Sequence, residues 1–182
     1  MEPIIDSALT RTEALSGTHA PEEICATLAL VPVSYRSFDE RLHEGQLLIH
    51  QDLAEEVIDI FRELLALSFP IAKVLPLSRY GWDDEASMQD NNSSAFNYRT
   101  IACTDRLSNH ARGLAIDINP LLNPYTQYDG KVVPEGARYD SSVPGTLVAG
   151  SPAVEVFTSR GWDWGGLWTD APDFQHFAKA PR

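Results

Sequence analysis

The stretch LAIDIN sets an aspartate, Asp117, between Ile116 and Ile118, and this restricts the fold more than any other feature of the sequence. Alternation puts Leu114, Ile116 and Ile118 on one face of a strand and Ala115, Asp117 and Asn119 on the other, with the small Ala115 leaving room beside the carboxylate. A carboxylate in mid-strand is costly to bury unless it is paired or bound to a cation, so the fold must bring it a partner. The nearest candidate, His110, stands seven residues upstream. On one helix the two would share a face but lie about 10 Å apart, and on one straight strand they would point to opposite faces, because seven is odd. A turn at Arg112-Gly113 escapes both limits by folding His110 back over the strand. On this stretch alone a plainer alternative stays open, in which Asp117 accepts from a turn amide and His110 lies at the surface.

DFQHF, near the other end of the chain, supplies a second histidine, His176. Two histidines and one carboxylate make a three-ligand set for zinc with the fourth position left to water, the pattern of catalytic sites. Asp173, three residues before His176, can then reach the water rather than the metal, where a general base belongs. Asp170 is its local rival, but TDAPDF suggests that Asp170 turns the chain at Pro172. The preceding RGWDWGGLW combines aromatics and glycines suited to a groove that a substrate backbone can approach closely.

SNHARGLAIDINP, GWDWGGLW and DFQHF together resemble the family of D-alanyl-D-alanine carboxypeptidases and L-alanyl-D-glutamate endopeptidases, zinc enzymes that cut the peptide stems of bacterial cell walls. The family's first motif runs Ser, any residue, His, six residues, Asp, and is matched by Ser108, His110 and Asp117. Its second, an acid three residues before a histidine, is matched by Asp173 and His176. NNSSAFNYR resembles the substrate-contacting segment, with Arg99 at the position of its arginine. The similarity spans Val31 to Phe177. It implies an α+β fold in which a small antiparallel sheet flanked by helices carries zinc on His110, Asp117 and His176, with Asp173 as base. Arg99 would stabilise the oxyanion or hold a substrate carboxylate. Ser108, Tyr98 and Trp164 are expected to touch substrate or support the ligands. His19, His43 and His50 match no motif and are read as solvent-facing or core histidines.

The chain of 182 residues fits one domain, expected over 21–182 behind a loosely attached lead-in over 1–20. A formal charge of −12 is the wrong sign for a nucleic-acid backbone or an anionic membrane surface, so the expected partners are peptidoglycan stem peptides or muropeptides, met by a monomer. ICATLALVPV follows Glu22 and Glu23 rather than a basic segment, so no export signal is visible. The expected location is the cytoplasm, before release to the wall or for processing of muropeptides there. Cys25 and Cys103 are read as buried small hydrophobes rather than as a disulfide framework.

Periodicity predicts a short strand at QLLIH and a helix over QDLAEEVIDIFRELLAL, opened by an Asp52/Glu55 capping box and stopped by Pro70. Strands are expected at IAKVL and LAIDIN, irregular chain from Asn123 to Val148, and a helix at AVEVFTSR between Ser151-Pro152 and Gly161.

Three further readings compete on the same residues. Cutting L-alanyl-D-glutamate needs a groove open at both ends, whereas a carboxypeptidase needs a cation to hold the terminal carboxylate; the endopeptidase is favoured because no separate wall-binding module fits, as in endolysins. A non-haem iron oxygenase uses the same ligand types, but usually with one residue rather than six between histidine and carboxylate. A hedgehog-like zinc domain that binds without catalysis is opposed by the presence of Asp173.

Overall fold

The structure is a computed structural model and describes residues 2–101 and 104–179. The chain begins with a two-residue strand, β1 (Ile4–Ile5), and two short helices, α1 (Arg11–Ala14) and α2 (Glu22–Ala26). A long hairpin follows, β2 (Leu28–Arg36) with β3 (Leu42–His50), paired antiparallel from Leu28↔His50 to Arg36↔Leu42. β1 joins β3 in parallel, and Ala14 of α1 is fully buried. The lead-in is further held where Trp82 Nε1 donates to the Ser16 carbonyl at 2.8 Å. QLLIH is thus the end of a nine-residue strand, and the apolar run before it is the partner strand.

Helix α3 (Ala54–Ala66) buries Val57, Ile60, Phe61 and Leu64, at the spacing read from the sequence, against β2. Its start differs from the expected capping box. His50, the last residue of β3, reaches the free amide first, its Nδ1 accepting from Asp52 N at 3.3 Å over a single 3-10 turn, Gln51–Leu53. IAKVL forms only a two-residue strand, β4 (Lys73–Val74), parallel to β5 (Asn92–Ser93). Between them lies α4 (Asp84–Gln89), capped by Asp83, whose carboxylate accepts from Ala86 N at 3.0 Å.

The second sheet is built from β6 (Ala115–Asp117), β9 (Asp163–Trp164) and β10 (His176–Ala178), in the order β6-β10-β9 and antiparallel throughout. Before β9 come a small hairpin, β7 (Tyr125–Thr126) with β8 (Val132–Val133), and the helix α5 (Pro152–Thr158). The hairpin interrupts a segment expected to lack regular structure. Helix α5 opens as expected on Ser151 with Pro152 in its first turn, and Gly161 follows with φ 82°. Ile116 and Phe177, directly opposite one another, face a core that includes Phe157, Trp162 and the apolar row of α3. The fold is α+β, as the resemblance implies.

Two fully buried asparagines tie the long segment after β6 to this frame. Asn119 adopts φ 47°, a left-handed conformation that asparagine tolerates better than most residues, and this ends the strand. Its side chain accepts from Ala72 N at 2.9 Å and donates to the Pro70 and Gly145 carbonyls. Asn123 donates to the Ile118 carbonyl and accepts from Leu147 N at 2.7 Å. Cys25 is half-buried, with Sγ 3.7 Å from the Ala20 carbonyl, so it is less enclosed than expected; Cys103 lies outside the described residues.

Candidate metal centre

Register places the first pair of ligands. His176 and Asp117 stand directly opposite one another on β10 and β6, so their side chains share one face of the sheet, with Ala178 opposite Ala115 beside them. The two alanines, both buried, add little bulk beside the pair. His110 arrives by the predicted turn: it sits on a 3-10 turn, Asn109–Arg112, closed by Gly113 at φ 65°. A Cβ on Gly113 would also lie 2.6 Å from Leu28 Cδ2 and 2.7 Å from His50 N, so both backbone conformation and space demand glycine there. Ser108 opens this turn, its Oγ accepting from His110 N at 3.3 Å, and so supports a ligand through the backbone.

The three side chains converge. His110 Nε2 lies 3.1 Å from His176 Nδ1 and 3.2 Å from Asp117 Oδ2, and His176 Nδ1 lies 3.0 Å from Asp117 Oδ1. All three residues are buried, at 3%, 7% and 8% exposure for His110, Asp117 and His176. His110 Nδ1 is 2.5 Å from the Ala95 carbonyl, which can only accept, so the proton sits on Nδ1 and the Nε2 lone pair faces the cluster. Tetrahedral zinc with bonds of about 2.0–2.1 Å would need ligand atoms about 3.3 Å apart; the two imidazole nitrogens, 3.1 Å apart, fall near that edge length, and each has one oxygen of the Asp117 carboxylate at 3.2 or 3.0 Å. The donor set, its spacing and the fixed tautomer therefore fit a metal ion, and the surface alternative for His110 fails on its burial.

Electrostatics carry the same message. Burial pushes the Asp117 carboxyl up, but the His110 and His176 imidazoles outweigh it and hold the group well below the usual carboxylate range. For His176 burial pulls down, yet the hydrogen bond and charge of Asp117, with the charge of Asp173, raise it overall. Asp173 is pushed up to about 7, first by burial and then by the nearby Asp117 charge, against the pull of His176 and Arg99. Its Oδ1 is enclosed and has no hydrogen-bond partner. Asp170, the rival, is exposed.

A tight turn in GWDWGGLW positions Asp173. Asp173 N donates to the Gly165 carbonyl at 3.0 Å, and a Cβ on Gly165 would lie 2.6 Å from the Asp173 backbone oxygen. The glycine thus serves an approach of protein backbone, not of substrate. Trp164, expected at substrate or behind the ligands, is a core residue at 3% exposure, donating from Nε1 to the Phe174 carbonyl at 2.9 Å. The aromatic that faces outward beside the ligands is Trp168, 44% exposed with its ring 5.5 Å from that of His176. Its place in the same motif was the available signal, since a run of aromatics does not reveal which one faces solvent.

NNSSAFNYR is mainly scaffold. Ser94 exchanges backbone hydrogen bonds with Asp117, Ala95 holds the His110 ring, and Asn97 N donates to the His110 carbonyl at 3.1 Å. Tyr98, partly buried, packs on a second apolar cluster that includes Leu28, Leu48 and Phe96. Arg99 lies at the end of this run, half-exposed, within electrostatic reach of Asp173 and His176. Of the other histidines, His19 is exposed and His50 caps the turn before α3; His43 sits between Asp6 and Asp39, with Nδ1 2.8 Å from Asp6. Among the described residues His110, Asp117 and His176 form the one cluster suited to a metal.

Fold and site together gather three side chains that could hold one metal ion, with the buried Asp173 carboxyl close enough to feel the charges of Asp117 and His176. Residues 102–179 match the family model described as D-alanyl-D-alanine carboxypeptidase, and this matched stretch holds His110, Asp117, Asp173 and His176. Arg99 and Tyr98 lie before the matched stretch. No curated protein and no solved structure matches the chain.

Proposed function

We propose that this chain is a zinc-dependent peptidase that hydrolyses peptidoglycan stem peptides, with the L-alanyl-D-glutamate bond as its preferred target. The observation that carries this reading is the convergence of His110 Nε2, His176 Nδ1 and the Asp117 carboxylate, each within 3.0–3.2 Å of the next, with Asp173, whose Oδ1 is unpartnered, near enough to feel their charges. Zinc supplies Lewis acidity toward a peptide carbonyl and acidifies a water when bound on these three side chains. Asp173 takes a proton from the attacking water at Oδ1 and later delivers it to the leaving amine, a role suited to a carboxyl tuned toward neutral pH. Arg99 stabilises negative charge as it develops on the carbonyl oxygen. Trp168 offers an apolar wall for the peptide on the open side.

The bond assignment rests on charge. Holding a terminal carboxylate requires a free cation, and Arg99, the cation whose field reaches the cluster, already has a carboxylate against it in Asp84. The second reading, a D-alanyl-D-alanine carboxypeptidase, is favoured by the description of the matching family. Incubating the zinc-loaded protein with purified wall peptides and weighing the fragments tests both. Release of terminal D-alanine alone refutes the endopeptidase assignment, and intact peptides refute the peptidase reading.

A further inference from the structure

Arg99 is not a free arginine. Its Nε lies 3.2 Å from Asp84 Oδ2, with side chains 39% and 30% exposed, yet this Nε makes no aligned hydrogen bond. The contact is therefore an attraction between charges rather than a directional clasp. Both partners are fixed from behind. The Arg99 carbonyl accepts from Ser108 N at 3.0 Å, which ties its backbone to the turn carrying His110. Asp84 stands in the first turn of α4, whose backbone is set by the Asp83 cap. The pairing thus follows from two elements already ordered for other reasons.

We infer that Asp84 is a specificity-determining residue: by neutralising Arg99 it makes the site discriminate against peptides that present a free terminal carboxylate near the scissile bond. This rests on the peptidase reading given above and extends it to the choice of substrate. A substrate carboxylate approaching the guanidinium meets Asp84 as a like charge at close range, and juxtaposed like charges are an effective means of rejecting a partner. A neutral peptide carbonyl meets no such penalty and still finds Arg99 donors. The chain as a whole, at −12, adds a field of the same sign against anionic ends.

The test uses the zinc-loaded full chain and one synthetic stem peptide in two forms, C-terminal free acid and C-terminal amide. The quantity read is the ratio of kcat/KM for acid to that for amide. In the unmodified protein the ratio should be at or below one. Asp84→Asn should raise it on the order of tenfold, through a lower KM for the acid, with the amide little changed. Asp84→Ser, which also removes the charge at this half-exposed position, should give the same shift, and Asp84→Glu should keep the original ratio. A purely structural role for Asp84 would lower both rates together and leave the ratio unmoved, which would overturn the inference. A strong preference of the unmodified protein for the free acid would overturn it as well. Failure of the unmodified protein to cut either form would overturn the peptidase reading and this inference with it, whereas cleavage with a constant ratio defeats the inference alone.

Discussion

Gly165→Ala is the sharpest probe of how the base is held, because the added atom points at the backbone of Asp173 and not at any ligand. The new Cβ would lie 2.6 Å from the Asp173 oxygen and 3.0 Å from its Cβ. Ordinary contact begins near 3.4 Å, so the two segments must part by about 0.8 Å, and overpacking of this kind typically costs 1–3 kcal/mol. The hydrogen bond from Asp173 N to the Gly165 carbonyl stretches with it. Displacement of a reacting group by about 1 Å costs on the order of 10²-fold in rate, so kcat should fall roughly 10- to 100-fold. The ligands lie on β6, β10 and the His110 turn, so bound zinc should stay at one per chain. Steady-state kinetics on a stem peptide, elemental analysis and a thermal melt measure the three quantities. Unchanged kcat with an unchanged melting temperature would refute the reasoning, and so would a variant that loses zinc along with activity.

Asp173→Asn should keep zinc while lowering turnover by roughly 10²- to 10⁴-fold, the range for loss of a general base; Asp170→Asn should leave both unchanged. His176→Ala should lose zinc and activity together, as read by metal analysis. In the metal-free protein the raised Asp173 favours the protonated form, so its contribution to stability is present in acid and lost as pH rises toward 7. Thermal melts of the metal-free Asp173→Asn protein should therefore fall less between pH 5 and pH 8 than those of the unmodified protein. Zinc affinity should weaken on acidification, because the raised His176 holds a proton that the ion must displace, and titrations at pH 5.5 and 7.5 would show no difference if this were wrong. Trp168→Ala should raise KM severalfold with little change in kcat if its exposed face meets the peptide.

The parts of the molecule legible in the sequence are those fixed by local chemistry. Gly113 and the odd spacing of His110 and Asp117 foretold the turn; Ser151-Pro152 and Gly161 bounded α5; the apolar row Val57, Ile60, Phe61 and Leu64 marked α3. The hairpin partner of β3 escaped notice because Leu28–Arg36 includes Pro32 and lacks a clean alternation, so only its pairing identifies it. Asp52 and Glu55 had the spacing of a cap, but His50 competes for the same amide from the strand end. The division of labour between Trp164 and Trp168, and the need for glycine at 165, depend on which residues approach after folding. Sequence spacing carries no information on such approaches.

The site face rests on a sheet of three strands only two or three residues long, joining segments 59 positions apart at its centre. So small a sheet has little cohesion of its own, and closing so long a loop carries an entropic cost. An ion held by His110, Asp117 and His176 would act as a rivet through both strands and the turn above them, in the place where a cross-link would otherwise serve. The affinity of such an ion would enter the folding equilibrium directly, and the melting temperature would become a function of its free concentration. Scarcity of the metal would then silence the site and loosen the scaffold in one event.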